Sequence, residues 1–169
     1  MQWIEQKEEF AKLFLEARTC VYVDSGRYPT TLRRLIFDDA EIRTTKFADL
    51  LQHLMDLSGD LTAHYIVLDP DPVHYFHRHF SKYPVITIAR GDSASDYLAL
   101  LNADPGGSPA DAVGINWWAC VIVPPSSKWF VHALRDSDSN SGHLWIPPEW
   151  VTKVAEVYPY ARSESFCIG

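Results

Sequence analysis

A chain of 169 residues, 47% apolar and 13% aromatic, is long enough to bury one core without disulfide or metal staples and too hydrophobic to stay disordered. Its net charge of −7 argues against nucleic acid as a partner, because phosphate binding needs a basic face. It holds no run of about 18 apolar residues, so no membrane span is expected, and its start, MQWIEQKEEF, lacks the basic-then-apolar pattern of a secretory signal.

Taken in chain order, Trp3, Phe10, Phe14 and Ala17 recur at helical spacing and predict a helix over residues 3 to 17, with the stem of Lys7 lying along the same face. Thr19 to Asp24, TCVYVD, is β-branched and aromatic and predicts a strand closed by Ser25 and Gly26. Residues 27 to 43 are basic and fit either a helix or an exposed arm. Thr45 to Leu57 reads as a helix with Phe47, Leu50, Leu51 and Leu54 on its buried stripe and Gly59 as its stop. His64 to Asp69 is the next strand. Asp71 and Pro72 then open a helix reaching about Lys82. Val85 to Ala89 is a third strand. Asp92 or Ser93 caps a short helix through Asn102, and residues 104 to 109 form a loop. Trp117 to Val123 is apolar on both alternating faces, which predicts a strand covered on both sides. Trp129 to Arg135 is its partner strand, Asp136 to Gly142 a polar turn. A last helix begins near Pro148, with Trp150, Val151, Val154, Val157 and Tyr158 on one face. The expectation is a single α+β domain over residues 1–160, with helices packed on a mixed sheet of about five strands, and a loose tail over 161–169.

Three cysteines, Cys20, Cys120 and Cys167, lack metal-ligand spacing, and the first two sit in apolar runs; an odd set of thiols predicts a reducing, cytoplasmic setting. His74, His77 and His79 fall within six residues, a density that metal sites use. At about 100° per helical residue, His79 points away from the other two, while Val73, Phe76 and Phe80 make the buried face. The histidines then flank a core stripe, and no metal ligand is assigned. Residues 136 to 142, DSDSNSG, follow a calcium loop for five positions, but Ser141 stands where glycine is needed and Pro147 where glutamate is needed. A polar hairpin connection accounts for them. Asp24 and Asp69 end two predicted strands and Asp92 lies just past a third. Carboxylates there can hold magnesium, and they can equally cap the following helices. No nucleophile elbow, phosphate loop, dinucleotide fingerprint or zincin motif is present, and no cofactor is expected.

Five of the six tryptophans fall between Trp117 and Trp150. Trp117 and Trp118 are neighbours on a strand and face opposite sides. Trp150 falls on the apolar face of the last helix, while Trp129 and Trp145 are the two expected to be partly exposed. Residues 91 to 152 hold seven carboxylates against Lys128 and Arg135. Acidic side chains beside tryptophan suit a basic protein partner. The contact surface is expected from Asp104, Asp111, Asp136, Asp138, Trp145 and Glu149. The basic stretch with Arg27, Arg33, Arg34, Arg43 and Lys46 runs against a purely acidic face.

A small, acidic, aromatic chain without a catalytic motif resembles the immunity proteins of bacterial toxin systems, including those of contact-dependent growth inhibition. The resemblance rests on general character across the whole chain and carries over no residue and no fold. It implies a cognate toxin, often a nuclease with a basic active site, occluded by acidic side chains, and no catalysis by this chain. Two other classes stay open: a small metal-assisted hydrolase built on Asp24 and Asp69 or on the pair His74 and His77, and an oligomeric scaffold without ligand.

Overall fold

Local capping chemistry sets the helices over Thr45–Ser58 and Ala94–Leu101 of the computed structural model, which describes residues 3–107, 112–114, 117–136 and 140–163. The Thr44 hydroxyl accepts from the amide of Phe47 and starts α2 (Thr45–Ser58); Gly59, with φ 78°, ends it in the left-handed region. Such a cap contributes about 1 kcal/mol. Ser93 and Asp96 form a reciprocal capping box at the start of α4 (Ala94–Leu101). Asp71 accepts from the amides of Val73 and His74 and opens a wide helical turn, Pro72–His77, which tightens into α3 (Arg78–Phe80).

Helix α1 (Lys7–Asp24) overturns one expectation. TCVYVD is helical, not a strand. The buried stripe of Phe10, Leu13, Ala17 and Cys20 continues at three- and four-residue spacing through that segment. Burial of the stripe outweighs the β-preference of Val21 and Val23, because intrinsic propensity amounts to only tenths of a kcal/mol per residue. Asp24 therefore sits at a helix end.

Among the described residues seven strands make one sheet: β1 (Arg33–Asp38), β2 (Thr62–Asp69), β3 (Val85–Ala89), β4 (Ala119–Val123), β5 (Phe130–Arg135), β6 (Asn140–Ile146) and β7 (Arg162–Ser163). Their order is β3-β2-β4-β5-β6-β1-β7. Every neighbouring pair is antiparallel. The α+β class stands, but the sheet is wider than about five strands and is not mixed. β1 emerges from the basic segment 27–43, and β6 begins inside what reads as a polar turn. These two pair with each other, Arg34 opposite Trp145. Arg162 and Ser163, expected in the loose tail, add an edge strand to β1.

Alternation along the strands assigns two faces. On one, Tyr65, Val67, Ile122, Val131 and Leu144 meet the stripe of α2, joined by α4 and by α5 (Val151–Val157). Phe47, Leu50, Leu51 and Leu54 are fully buried there, each stabilising by about 2 kcal/mol. On the other face, α1 covers Ile66, Val85, Val121, Val123 and Phe130. β4 lies between β2 and β5 and is buried on both sides, as its unbroken apolar run requires.

The tryptophans divide differently from their sequence reading in one case. Trp129 is fully buried, its Nε1 donating to Ser58 Oγ at 3.3 Å, so it offers no exposed ring. Trp117 is buried and its neighbour Trp118 is 55% exposed, but both precede β4, which begins at Ala119 and not at Trp117 as expected. Val157 points to solvent while Val154 and Tyr158 fill the core below the last helix. Among the described residues no helix is long and apolar enough to cross a membrane.

Burial pushes the thiols of Cys20 and Cys120 up to about 12, with the charge of Glu16 adding to the effect at Cys20. Neither is a thiolate at neutral pH, and both are shielded. Treatment of the native protein with iodoacetamide at pH 8 is expected to leave Cys20 and Cys120 unmodified by peptide mass mapping; rapid alkylation of either would contradict the packing of α1 or β4.

Candidate functional site

Beyond the last turn of α1 the sheet face is no longer roofed by helix. His132 on β5 and His143 on β6 are direct cross-strand partners on that face. Trp145 follows two residues along, stacked on Phe130 with ring centroids 5.8 Å apart. Asp24, one turn past Cys20 on the same helical stripe, reaches down to all three. Its Oδ2 lies 2.6 Å from His132 Nδ1 and 2.8 Å from His143 Nδ1. Its Oδ1 accepts from Trp145 Nε1 at 2.6 Å.

This carboxylate is only 5% exposed, and His132 and His143 are 6% and 16% exposed. Burial by itself would raise the Asp24 carboxyl. The hydrogen bonds from His132 and His143, the charge of His143 and the bond from Trp145 together outweigh burial and hold it well below the usual carboxylate range. Asp24 is thus ionised at neutral pH, in a place where the negative end of a helix dipole disfavours an anion. Only the convergent N–H groups make that position tolerable.

An open cleft of about 780 Å³ adjoins the cluster. Asp24 and Trp145 line it, with Arg33 and Arg34 of β1 and Val151 of α5. The Arg34 guanidinium stands 5.8 Å from the centre of the Trp145 ring. The basic segment therefore supplies the wall of a cleft, an inner strand over Arg33–Asp38 and a 3-10 helix over Asp39–Arg43.

A second feature lies at one end of the sheet. The strand registers bring together the end of β2, the start of β4, the end of β5 and the end of β1. Asp38, Asp69, Asp71 and Asp136 are all exposed at this end of the sheet, as is Trp118. From β2 to β1 this row spans four strand spacings, roughly 19 Å. The arginine on these strand ends, Arg135, is engaged inward. Its Nε and Nη2 lie 3.0 and 2.9 Å from Oδ2 of buried Asp39, and its guanidinium sits 4.3 Å from the centre of the Trp117 ring.

The sequence-predicted contact residues do not share one surface. Asp136 is at the Trp118 end of the sheet. Glu149 follows the far end of β6, seven residues of strand away, and Trp145 is tied to Asp24 near that far end. Asp104 is half-buried in the loop after α4, accepting from the amide of Gly106 at 2.6 Å. Asp111 and Asp138 lie outside the described residues. The catalytic alternatives fare similarly. Asp69 is exposed at the end of β2, whereas Asp24 is buried at the far side of the sheet face under α1. His74 is exposed and bonded to Asp71, and His77 stacks on Tyr83 at 4.5 Å; among the described residues neither gathers with two further metal-ligating groups.

His132 and His143 carry no motif or spacing that marks them in the sequence. Two signals point to them. Extending the buried stripe of α1 by one turn lands on Asp24, and a buried carboxylate demands partners. His132 interrupts an apolar run, FVHAL, on a strand buried on both faces, and a buried imidazole makes the same demand. Comparisons with protein-family models, curated proteins and solved structures give no match to this chain.

Proposed function

We propose that this chain is a non-catalytic binding protein that captures a basic partner protein on the Trp118 end of its sheet and neutralises it, in the manner of a toxin-immunity protein. The observation that carries the reading is Trp118. It is the one tryptophan more than a third exposed, and it shares its end of the sheet with four exposed carboxylates while the nearby arginine is spent on Asp39. An exposed indole on a surface of one sign of charge suits a hot-spot anchor. The carboxylates steer a cationic surface into register, and the ring then slows its release. Of the contact residues expected from sequence, Asp136 belongs to this surface. The buried, reduced thiols Cys20 and Cys120 support a reducing, cytoplasmic compartment.

The partner to test is the protein encoded immediately upstream. Isothermal titration calorimetry is expected to give a tight one-to-one complex, weakened roughly 100-fold by Trp118→Ala, the range of an aromatic hot spot. Glu149→Ala, remote from this end, should leave affinity within about twofold, as neutral rim positions do. Absence of binding, or equal affinity for Trp118→Ala, would remove this surface from consideration.

A further inference from the structure

We propose that Asp24, His132 and His143 form a binding site for a divalent transition-metal ion of the zinc type, with a further coordination position on the side of the adjoining cleft. One carboxylate oxygen and one nitrogen from each imidazole lie within 4.8 Å of one another. Two nitrogens and one oxygen are the donor set that borderline ions such as zinc prefer, and three protein ligands with one open position are the pattern of an accessible zinc site.

The supporting shell is already in place. Trp145 Nε1 donates to Oδ1 of Asp24, which leaves Oδ2 as the oxygen nearest both imidazoles, with His143 Nδ1 also 2.9 Å from Oδ1. A partner on the non-ligating oxygen fixes a carboxylate ligand's orientation. The three ligands come from rigid elements: the end of an 18-residue helix and two directly paired strands. The electrostatics ask for a cation. A carboxylate nearly removed from water, at the negative end of a helix dipole, faces both imidazoles. Access runs through the cleft that Asp24 and Trp145 line, and His143 is the more exposed imidazole.

The present separations of 2.6 and 2.8 Å are hydrogen-bond distances. Ligand atoms around tetrahedral zinc stand roughly 3.3 Å apart, given bonds of about 2.0–2.1 Å. Loading therefore spreads the two contacts by roughly 0.5–0.7 Å and replaces the protons held between Asp24 and the imidazoles. The rival occupant is a proton, which would leave the cluster as an ion-paired clasp.

The test strips the whole protein with a chelator and titrates it with zinc by calorimetry, then with cobalt(II) by visible absorption. One equivalent of zinc and a tetrahedral cobalt spectrum displaced by zinc are expected for the wild type. Asp24→Asn, which keeps the shape of the side chain, and His143→Gln should each weaken zinc at least tenfold, as loss of a metal ligand or its partner does. The cobalt spectrum reads the wild type alone, so it decides the matter even where a variant fails to fold. No bound equivalent, or zinc held equally by both variants, as at surface pairs such as His74 with Asp71, overturns the proposal.

Discussion

Asp24→Ala is expected to lower the thermal midpoint by roughly 6–20 °C in metal-free buffer, taking about 3–5 kcal/mol for breaking a buried charge pair and about 2–4 °C per kcal/mol for a domain of this size. Three N–H groups, His132 Nδ1, His143 Nδ1 and Trp145 Nε1, lose their common acceptor in a site only a few per cent open to water. Nothing else in the cluster can replace it, and the C-terminal turn of α1 loses its anchor on β5 and β6. The pH dependence follows from the depressed carboxyl. A carboxyl whose folded pKa lies below its unfolded value near 4 contributes stability that is fully present above that unfolded value and is lost as pH falls toward the folded one. The carboxyl's share of the difference between wild type and Asp24→Ala should therefore be complete at pH 5 and above and shrink only in strong acid. Thermal melts of the two proteins from pH 3 to pH 8 check both statements. A difference below about 1 kcal/mol, the worth of an exposed pair, would show that Asp24 is not held as described.

Gly142→Ala is the second large effect, expected to cost about 3 kcal/mol, the upper part of the range for overpacking a core. Gly142 lies on β6 opposite Phe37 of β1. A Cβ there would meet the Phe37 ring, 2.7 Å from Cε1 and nearer still to Cζ and Cε2. The ring cannot swing aside cheaply. It is 4% exposed and wedged against Phe47 at 5.4 Å and Tyr158 at 6.2 Å. Removing the ring should relieve the clash, so Gly142→Ala combined with Phe37→Leu is expected to be more stable than Gly142→Ala alone, although Phe37→Leu by itself destabilises. Chemical denaturation of the four proteins measures the coupling. Simple additivity would mean that the ring and the new methyl never meet.

Gly142 also explains why β6 is hard to see in the sequence. On that strand the core-facing positions are Gly142, Leu144 and Ile146, and the opposite positions are Ser141, His143 and Trp145. The glycine removes one apolar beat and the polar residues remove the rest, so alternation fades into what looks like a turn. β1 is masked differently. Its two leading arginines read as a solvated arm, and its partners lie more than a hundred residues away. Signals that are local survive the reading well: the Phe47–Leu54 stripe and Gly59 in α2, Asp71 before Pro72, Ser93 before α4, and the doubly apolar run of β4. What fails is information that lives in pairing. TCVYVD has the composition of a strand, but the apolar stripe of α1 runs through it and carries Asp24 into a buried position. The cluster with His132 and His143 brings together positions 24, 132 and 143, and only the antiparallel register of β5 and β6 makes them neighbours. The acidic end is half legible: the charge excess and the opposed faces of Trp117 and Trp118 are in the sequence, but Asp38, Asp69 and Asp71 join it only through sheet order.

The claim that this molecule acts through the Trp118 end of its sheet is met most directly by association kinetics with the upstream-encoded protein, at low and at physiological ionic strength. Asp69→Lys with Asp136→Lys reverses two charges on exposed positions without touching the core. The wild type should associate fast with a steep dependence on salt, and the double variant about tenfold slower at low salt with a shallow one. Identical association rates and salt dependence for the two proteins would contradict the account.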